Sequence, residues 1–270
     1  MLGFTEEQIR RYARHIVLPQ LGGKGQRRLL DSRVLVVGVG GLGSPVSLYL
    51  AAAGVGTIGL VDNDVVDVSN LQRQVVHRNA DIGRPKVASG GDALVALNPD
   101  VHVVQHHVNF SSANAMELIA GYDLVVDCSD NFPSKYLAND ACVLCNKPLV
   151  WGAVFQFDGQ MSVVQPRRGP CYRCIFPAPP PPGSVPSCVE AGVLGALVGV
   201  MGSWQALEAV KVLAGIGEPM VGRLLIFDGL TGQADTVEIK RRENCDLCGD
   251  HPTIDRLIDY EVFCGLRAAE

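Results

Sequence analysis

The 270-residue sequence has no surplus of cations: 23 Lys and Arg stand against 28 Asp and Glu, a net charge of −5. Phosphate-backbone binding needs a basic excess, so nucleic acid is disfavoured as a partner. The start of the chain lacks an apolar leader. Residues 2–14 read LGFTEEQIRRYAR, which argues against a secretory signal and for a reducing cytoplasm. No apolar run reaches the roughly 20 residues of a membrane span, so no membrane is expected either. One long uncharged stretch, Ala191 to Leu207, contains Ser203 and Gln205 and runs on to Glu208 and Lys211, as a buried helix would. Its glycines at 192, 195, 199 and 202 are spaced to form one smooth face that a neighbouring backbone can approach. Internal repeats and charge blocks are absent. Cysteine, in contrast, is plentiful, and nine is an odd number. A fully paired disulfide framework is thereby disfavoured, and thiols serving as metal ligands or nucleophiles are favoured.

The length allows one large domain or two small ones. Val34 to Val37 is a short apolar run followed by GVGGLG and an apolar stretch to Ala53, which reads as strand, tight turn and helix. Further strands are expected at TIGLVD ending at Asp62, at about Val101 to Val108, and at Asp123 to Asp127, separated by segments of helical length. The alternation implies a mostly parallel sheet with helices on both faces. From Trp151 the character changes. VFQFDGQMSVVQP reads as a hairpin turning at Asp158-Gly159, and GRLLIFDGLTGQADTVEIKRR as a second one. Six of the sixteen prolines crowd into Pro177 to Pro186, which suits an extended surface segment or a linker.

Gly38, Gly40 and Gly43 satisfy GxGxxG after a strand and before a helix, and Asp62 ends the next strand 19 residues after Gly43. Bare backbone N–H groups and a helix N-terminus suit phosphate, while a carboxylate accepts from ribose hydroxyls. The motif alone points to a dinucleotide such as NAD. Beyond Asp62, however, Asp64 leads to Arg73 and then to Lys86 in Gly83-Arg84-Pro85-Lys86. Two such cations suit a departing pyrophosphate, on which charge builds during nucleotidyl transfer. Asp127-Cys128-Ser129-Asp130-Asn131 falls at the C-terminal end of a strand. Asp130 there suits Mg²⁺, and either Asp130 or Asn131 could instead cap the helix that follows.

With these residues in view the sequence resembles the MoeB and ThiF family of adenylyltransferases, relatives of the ubiquitin-activating enzymes. The likeness spans nearly the whole chain through RYARHIVLPQLG, GVGGLGSP, SNLQRQ (Ser69 to Gln74), GRPK, DCSDNF and CVEAGVLG. It implies a single adenylyltransferase domain with a Rossmann-like sheet. Residues 1–30 would form an N-terminal helical segment, 31–150 the nucleotide-binding half, 151–250 an antiparallel, carrier-binding half clipped by zinc, and 251–270 a tail. The implied reaction is attack on the α-phosphate of ATP, with Mg²⁺, by the C-terminal carboxylate of a ubiquitin-like sulfur carrier ending in Gly-Gly. Carried onto this sequence, Gly41 belongs to the phosphate loop and Asp62 binds ribose. Asn70, Arg73 and Lys86 bind phosphates, Asp64, Gln74 and Asn131 join the nucleotide-binding set, and Asp130 holds Mg²⁺. The family is homodimeric, and Arg14 matches an arginine that reaches into the partner's ATP site. The tail resembles the segment that leads into a sulfurtransferase domain in longer relatives, so sulfur is expected from a separate donor. One departure stands out. Ser89-Gly90-Gly91 lies where relatives have a well-formed helix, and mid-helix glycines, each costing up to about 1 kcal/mol, predict a kink or a softer helix.

Two CxxC pairs, Cys171/Cys174 and Cys245/Cys248, sit in turn-like settings and together suit a closed tetrahedral Zn²⁺ site. The 70 residues between them exceed finger spacing, and the resemblance supplies the pairing with zinc. Cys142 and Cys145 share the spacing but lie in an apolar helical run and read as core, as do Cys128 and Cys264. Cys188 follows the prolines at the expected start of the glycine-faced helix, where a lowered pKa would favour the reactive thiolate, and it reads either as a nucleophile or as a structural cysteine. An NAD-dependent oxidoreductase and a non-catalytic carrier-binding scaffold are the rival readings. The first leaves Arg73, Lys86, Asp130 and the CxxC pairs unexplained, and the intact polar set argues against the second.

Overall fold

The computed structural model describes residues 3–184 and 191–267. Strands β1 (Arg33–Val37), β2 (Thr57–Val61), β3 (His102–His106), β4 (Leu124–Asp127), β5 (Leu149–Phe155), β6 (Asp158–Val164), β7 (Arg223–Asp228) and β8 (Gln233–Glu238) form one eight-stranded sheet. Its spatial order is β3-β2-β1-β4-β5-β6-β7-β8. The pairings from β3 to β5 are parallel and those from β5 to β8 antiparallel. Helices α1 (Glu6–Arg11), α2 (Ala13–Ile16) and α3 (Gly22–Asp31) precede the sheet. Within it come α4 (Gly43–Ala53), α5 (Lys86–Leu97), α6 (Ala115–Ala120), α7 (Phe132–Leu144), α8 (Tyr172–Ile175) and α9 (Gly195–Ala214), and α10 (Tyr260–Phe263) follows.

The inner strands are continuous apolar runs because both faces of the sheet are covered. Along β1 the side chains alternate: Val34 and Val36 join the core under α4, α5 and α9, whereas Leu35 and Val37 join the core under α6 and α7. The chain runs outward through β1, β2 and β3, then returns to lay β4 on the other side of β1. The crevice between the carboxyl ends of β1 and β4 is thus the topological switch point, where open α/β sheets bind ligands.

Helix α9 is long and apolar enough to cross a membrane, yet it is a core helix. It buries Leu197, Val198, Met201 and Ala206. Its buried Glu208 is neutralised by Lys211 and accepts from the Met220 amide at 2.8 Å. Only part of its expected glycine face exists. A Cβ at Gly195 would lie 2.4 Å from the Gln72 carbonyl oxygen, and one at Gly202 would lie 2.6 Å from that of Leu42. Gly199 meets nothing within 4 Å, and Gly192 stands outside the helix.

Two further expectations need correcting. The first hairpin turns at Gln156 and Phe157, two residues earlier than Asp158-Gly159, because Asp158 pairs with Phe155 inside the ladder. Gly159 serves close packing there, since a Cβ would fall 2.5 Å from the Met201 sulfur, and Gln156 takes the left-handed conformation at φ 52°. Helix α5 runs unbroken through Gly90 and Gly91. Both glycines are buried against the sheet. A Cβ at Gly90 would lie 3.0 Å from Val39 Cγ1, and one at Gly91 would lie 2.6 Å from Gln105 Nε2, so close approach offsets the lost helix propensity.

Candidate active site

A cavity of about 810 Å³ opens at the switch point. Gly38, Gly40, Gly41, Asp62, Asp64, Arg73, Gln74, Lys86, Asp130 and Asn131 all line it. Ten of the residues proposed from sequence for the nucleotide, scattered over some 90 positions, therefore share one wall.

The glycine loop begins where β1 ends. Gly38 has φ 90°, and a Cβ there would press 3.0 Å from the Cys128 carbonyl, so only glycine lets the loops after β1 and β4 meet. Gly43 is expected in the phosphate cradle but does not line the cavity. A Cβ on it would lie 2.0 Å from the Gly38 carbonyl oxygen, so it allows α4 to start tightly against the loop. Asp62 closes β2 with one carboxylate oxygen accepting from the Val39 amide at 2.8 Å and the other from the Asp64 amide at 2.9 Å. A carboxylate has about four acceptor sites, so capacity for hydroxyls remains.

Lys86, the first residue of α5, is almost wholly buried and pairs with the exposed Asp64 at 2.9 Å. Arg73 donates to the Ser69 carbonyl at 3.0 Å. Asn70 stays out of the cavity wall, because its side chain closes a capping box with Asp67 on the short 3₁₀ turn Val68–Asn70. Asn131 caps α7, accepting from the Ser134 amide at 2.9 Å. Asp130 beside it is exposed, and among the described residues no donor engages its carboxylate. Gln74 is buried with its Oε1 unpaired. Arg14 lies exposed on α2 and outside the wall of this cavity. Cys188 lies outside the described residues, and the glycine-faced helix itself begins at Gly195.

Several side chains in or behind this wall have roles that sequence reasoning leaves unassigned. Asp127, fully buried at the end of β4, pairs with Lys135 Nζ at 3.0 Å and accepts from the Ser129 hydroxyl at 2.6 Å. Lys135 also donates to the Gly152 carbonyl at 2.5 Å, tying α7 to β5. His77 is buried beneath the glycine loop, and burial pushes its pKa below the ordinary histidine value. The far end of the cavity is apolar, formed by Trp151, Phe155, Tyr172, Phe176 and Pro179 to Pro182. Trp151 meets Tyr172 edge to face at 5.0 Å. The described part of the proline segment is thus part of this wall. Their only sequence signals are a lysine three residues into α7 and aromatics at unremarkable spacing.

Away from the cavity, the Cys171, Cys174, Cys245 and Cys248 sulfurs all lie within 4.8 Å of one another. The Cys171–Cys245 and Cys174–Cys248 separations are 3.7 and 3.4 Å. Zn–S bonds of about 2.3 Å in a tetrahedron place sulfurs roughly 3.8 Å apart, so the four thiols fit such an ion closely. The Arg242 amide donates to Cys174 Sγ at 3.4 Å, the kind of contact that steadies a thiolate ligand. Cys142 and Cys264 are buried in the core as expected, and burial pushes the Cys264 thiol up to about 11.

The family model that matches is described as ThiF family and covers residues 12–247. A sulfur carrier protein adenylyltransferase of Thermus thermophilus is 54% identical over 98% of this chain and 99% of its own length. The adenylyltransferase and sulfurtransferase MOCS3 of Mus musculus is 50% identical, and this chain spans 58% of its length. The probable adenylyltransferase/sulfurtransferase MoeZ of Mycobacterium tuberculosis is 49% identical over 98% of this chain and 67% of its own. Among solved structures, E. coli MccB with MccA-N7isoASN superposes with a TM-score of 0.81 at 22% identity, covering 92% of this chain and 76% of that one. That likeness concerns the fold.

Proposed function

Because the chain belongs to the ThiF family, we propose that it is an ATP-dependent adenylyltransferase acting on the C-terminal glycine carboxylate of a ubiquitin-like sulfur carrier. The observation that carries this reading is one cavity with two unlike ends. A glycine loop, a ribose-side carboxylate and two cations suit a nucleoside triphosphate. An apolar arm walled by aromatics and prolines suits an extended peptide. NAD would leave Arg73, Lys86 and Asp130 without work.

In the proposed reaction a carboxylate oxygen attacks the α-phosphorus, the bond to the bridging oxygen breaks, and pyrophosphate leaves with its charge. Arg73 and Lys86 stabilise that charge, Lys86 exchanging Asp64 for phosphate. Asp130, with no competing donor among the described residues, would hold Mg²⁺, which would supply positive charge against the phosphates. Gly38, Gly40 and Gly41 supply backbone near the phosphates, Asp62 accepts from ribose, and Gln74 and Asn131 complete the polar wall. The four clip thiols would hold a structural Zn²⁺ with no open position.

A homodimer in the cytoplasm completes the proposal, with Arg14 serving the partner's site and Cys188 as a candidate nucleophile. The cavity thiols Cys128 and Cys264 are both pushed up by burial, which disfavours the thiolate and supports a separate sulfur donor. Carrier-dependent exchange of labelled pyrophosphate into ATP tests the reaction. Exchange is expected with at least one Gly-Gly carrier from a panel, and NAD reduction without any exchange would replace the proposal with the dehydrogenase.

A further inference from the structure

We infer that His77 is the positioning residue of the phosphate loop: through the Val39 carbonyl it sets the direction in which the Gly40 N–H faces the nucleotide. The inference rests on the proposed use of ATP. His77 is buried between the loop and α5, with Nε2 2.9 Å from the Val39 carbonyl oxygen and Nδ1 2.9 Å from Ser89 Oγ. A carbonyl can only accept, so Nε2 carries the proton that joins them.

The consequence follows from peptide planarity. In a trans peptide the C=O and N–H point to opposite sides, so a Val39 carbonyl held inward turns the Gly40 N–H outward. Gly40 lines the cavity, and outward is where a phosphate would lie. The preceding peptide is fixed separately, by the Val39 amide donating to Asp62. Two successive peptides of the loop are therefore pinned by two side chains before any ligand arrives. Such preorganisation lowers the ordering cost of binding.

Ser89-Gly90-Gly91 acquires a purpose in this arrangement. The glycines bring α5 so close that Gly90 faces the Val39 side chain, and Ser89 then reaches the imidazole. Ser89 is itself hydrogen-bonded to Asp81. The charged groups facing His77 are Lys86 at the start of α5, Asp62 after β2, and Asp81 on the turn before α5. The Ser89 hydroxyl has one proton, which goes either to Nδ1 or to Asp81, and in both cases Nε2 keeps donating to Val39.

The test uses the full chain and MgATP alone, measured by calorimetry, with pyrophosphate exchange as the kinetic readout. His77→Gln can place an amide N–H near the position of Nε2, whereas His77→Asn is too short. The Asn variant should bind MgATP about tenfold more weakly, the loss of one buried hydrogen bond, with KM for ATP raised and kcat nearly kept. The Gln variant should stay within about threefold of the parent. A role in stability alone would leave the two variants with equal affinity, and equal affinities overturn the inference. Should the Asn variant fail to fold, Ser89→Ala takes its place: weakened MgATP binding supports the inference and parent-like binding overturns it. A parent that binds no MgATP would instead refute the proposed function.

Discussion

Replacing Arg173 by Met should destabilise the protein by about 3 kcal/mol, the lower end of the roughly 3–5 kcal/mol typical of a broken buried ion pair. Arg173 lies between the clip cysteines 171 and 174 and grips Asp140 of α7 through three contacts of 2.7 to 3.1 Å. Both side chains are almost fully buried, at 3% and 0% exposure. Asp140 would keep two donors, the Tyr260 hydroxyl at 2.7 Å and Asn139 Nδ2 at 2.9 Å, which is why the lower end applies. The guanidinium also lies 4.7 Å from the Phe263 ring, so its loss loosens α10 as well. At roughly 2–4 °C per kcal/mol for a chain of this size, the midpoint should fall by roughly 6–12 °C, read by calorimetry. Removing the whole node with Arg173→Met, Asp140→Leu and Tyr260→Phe should cost less than the sum of the single changes, because no buried charge or hydroxyl is stranded. A midpoint within 2 °C of the parent for Arg173→Met (about 1 kcal/mol or less), or strict additivity in the triple variant, would refute this account of the node.

Elemental analysis of the purified protein should find one zinc per chain, lost in Cys245→Ser along with thermal stability; metal-free parent protein of unchanged midpoint would sink the clip. Asp130→Ala and Arg73→Ala should each lower pyrophosphate exchange at least about a hundredfold while leaving the melting midpoint within a few degrees. Exchange at half the parent rate in either variant removes that residue from the reaction. Stability should also decline as pH falls below about 6.5. The folded His77 resists the proton that the unfolded chain accepts, so the unfolded state binds more protons between the depressed folded pKa and the ordinary one, and stability rises with pH through that window. The slope from one such group is at most about 1.4 kcal/mol per pH unit, and His77→Gln should flatten it in urea titrations at pH 5 to 8.

The parallel strands and the glycine loop were legible in the sequence because each is a local pattern: an apolar run, then glycines, then another apolar run. Asp62 and Lys86 were legible for the same reason, since each sits next to a strand end or opens a helix. The hairpin turn was misread because Asp158-Gly159 carries the composition of a turn while Gly159 is needed for contact with Met201, some forty residues further on. Gly90 and Gly91 were misread similarly, their partners being Val39 on the loop and Gln105 on β3. His77, Lys135 and the aromatic arm have no periodic or spaced signature. Each acquires a role only from what tertiary structure lays against it.

The same long-range dependence explains why the two halves of the chain cannot be assigned separate tasks. Strand β5 is parallel to β4 through Val125–Leu149 and antiparallel to β6 along its whole length, so it ends one sheet type and begins the other. Trp151, opposite Asp127 in that register, stands where the nucleotide wall meets the apolar arm. Lys135 holds this junction from above by bonding both Asp127 and the Gly152 carbonyl. An acyl-phosphate bond forms only if carboxylate and α-phosphorus meet within about 3–3.5 Å, and one buried ammonium here couples the strand that presents Asp130 to the strand that walls the peptide arm. Slackening that tie should therefore cost turnover more than affinity for either substrate alone. Lys135→Met should lower kcat for pyrophosphate exchange with modest change in KM for ATP, and the reverse split would place the alignment elsewhere.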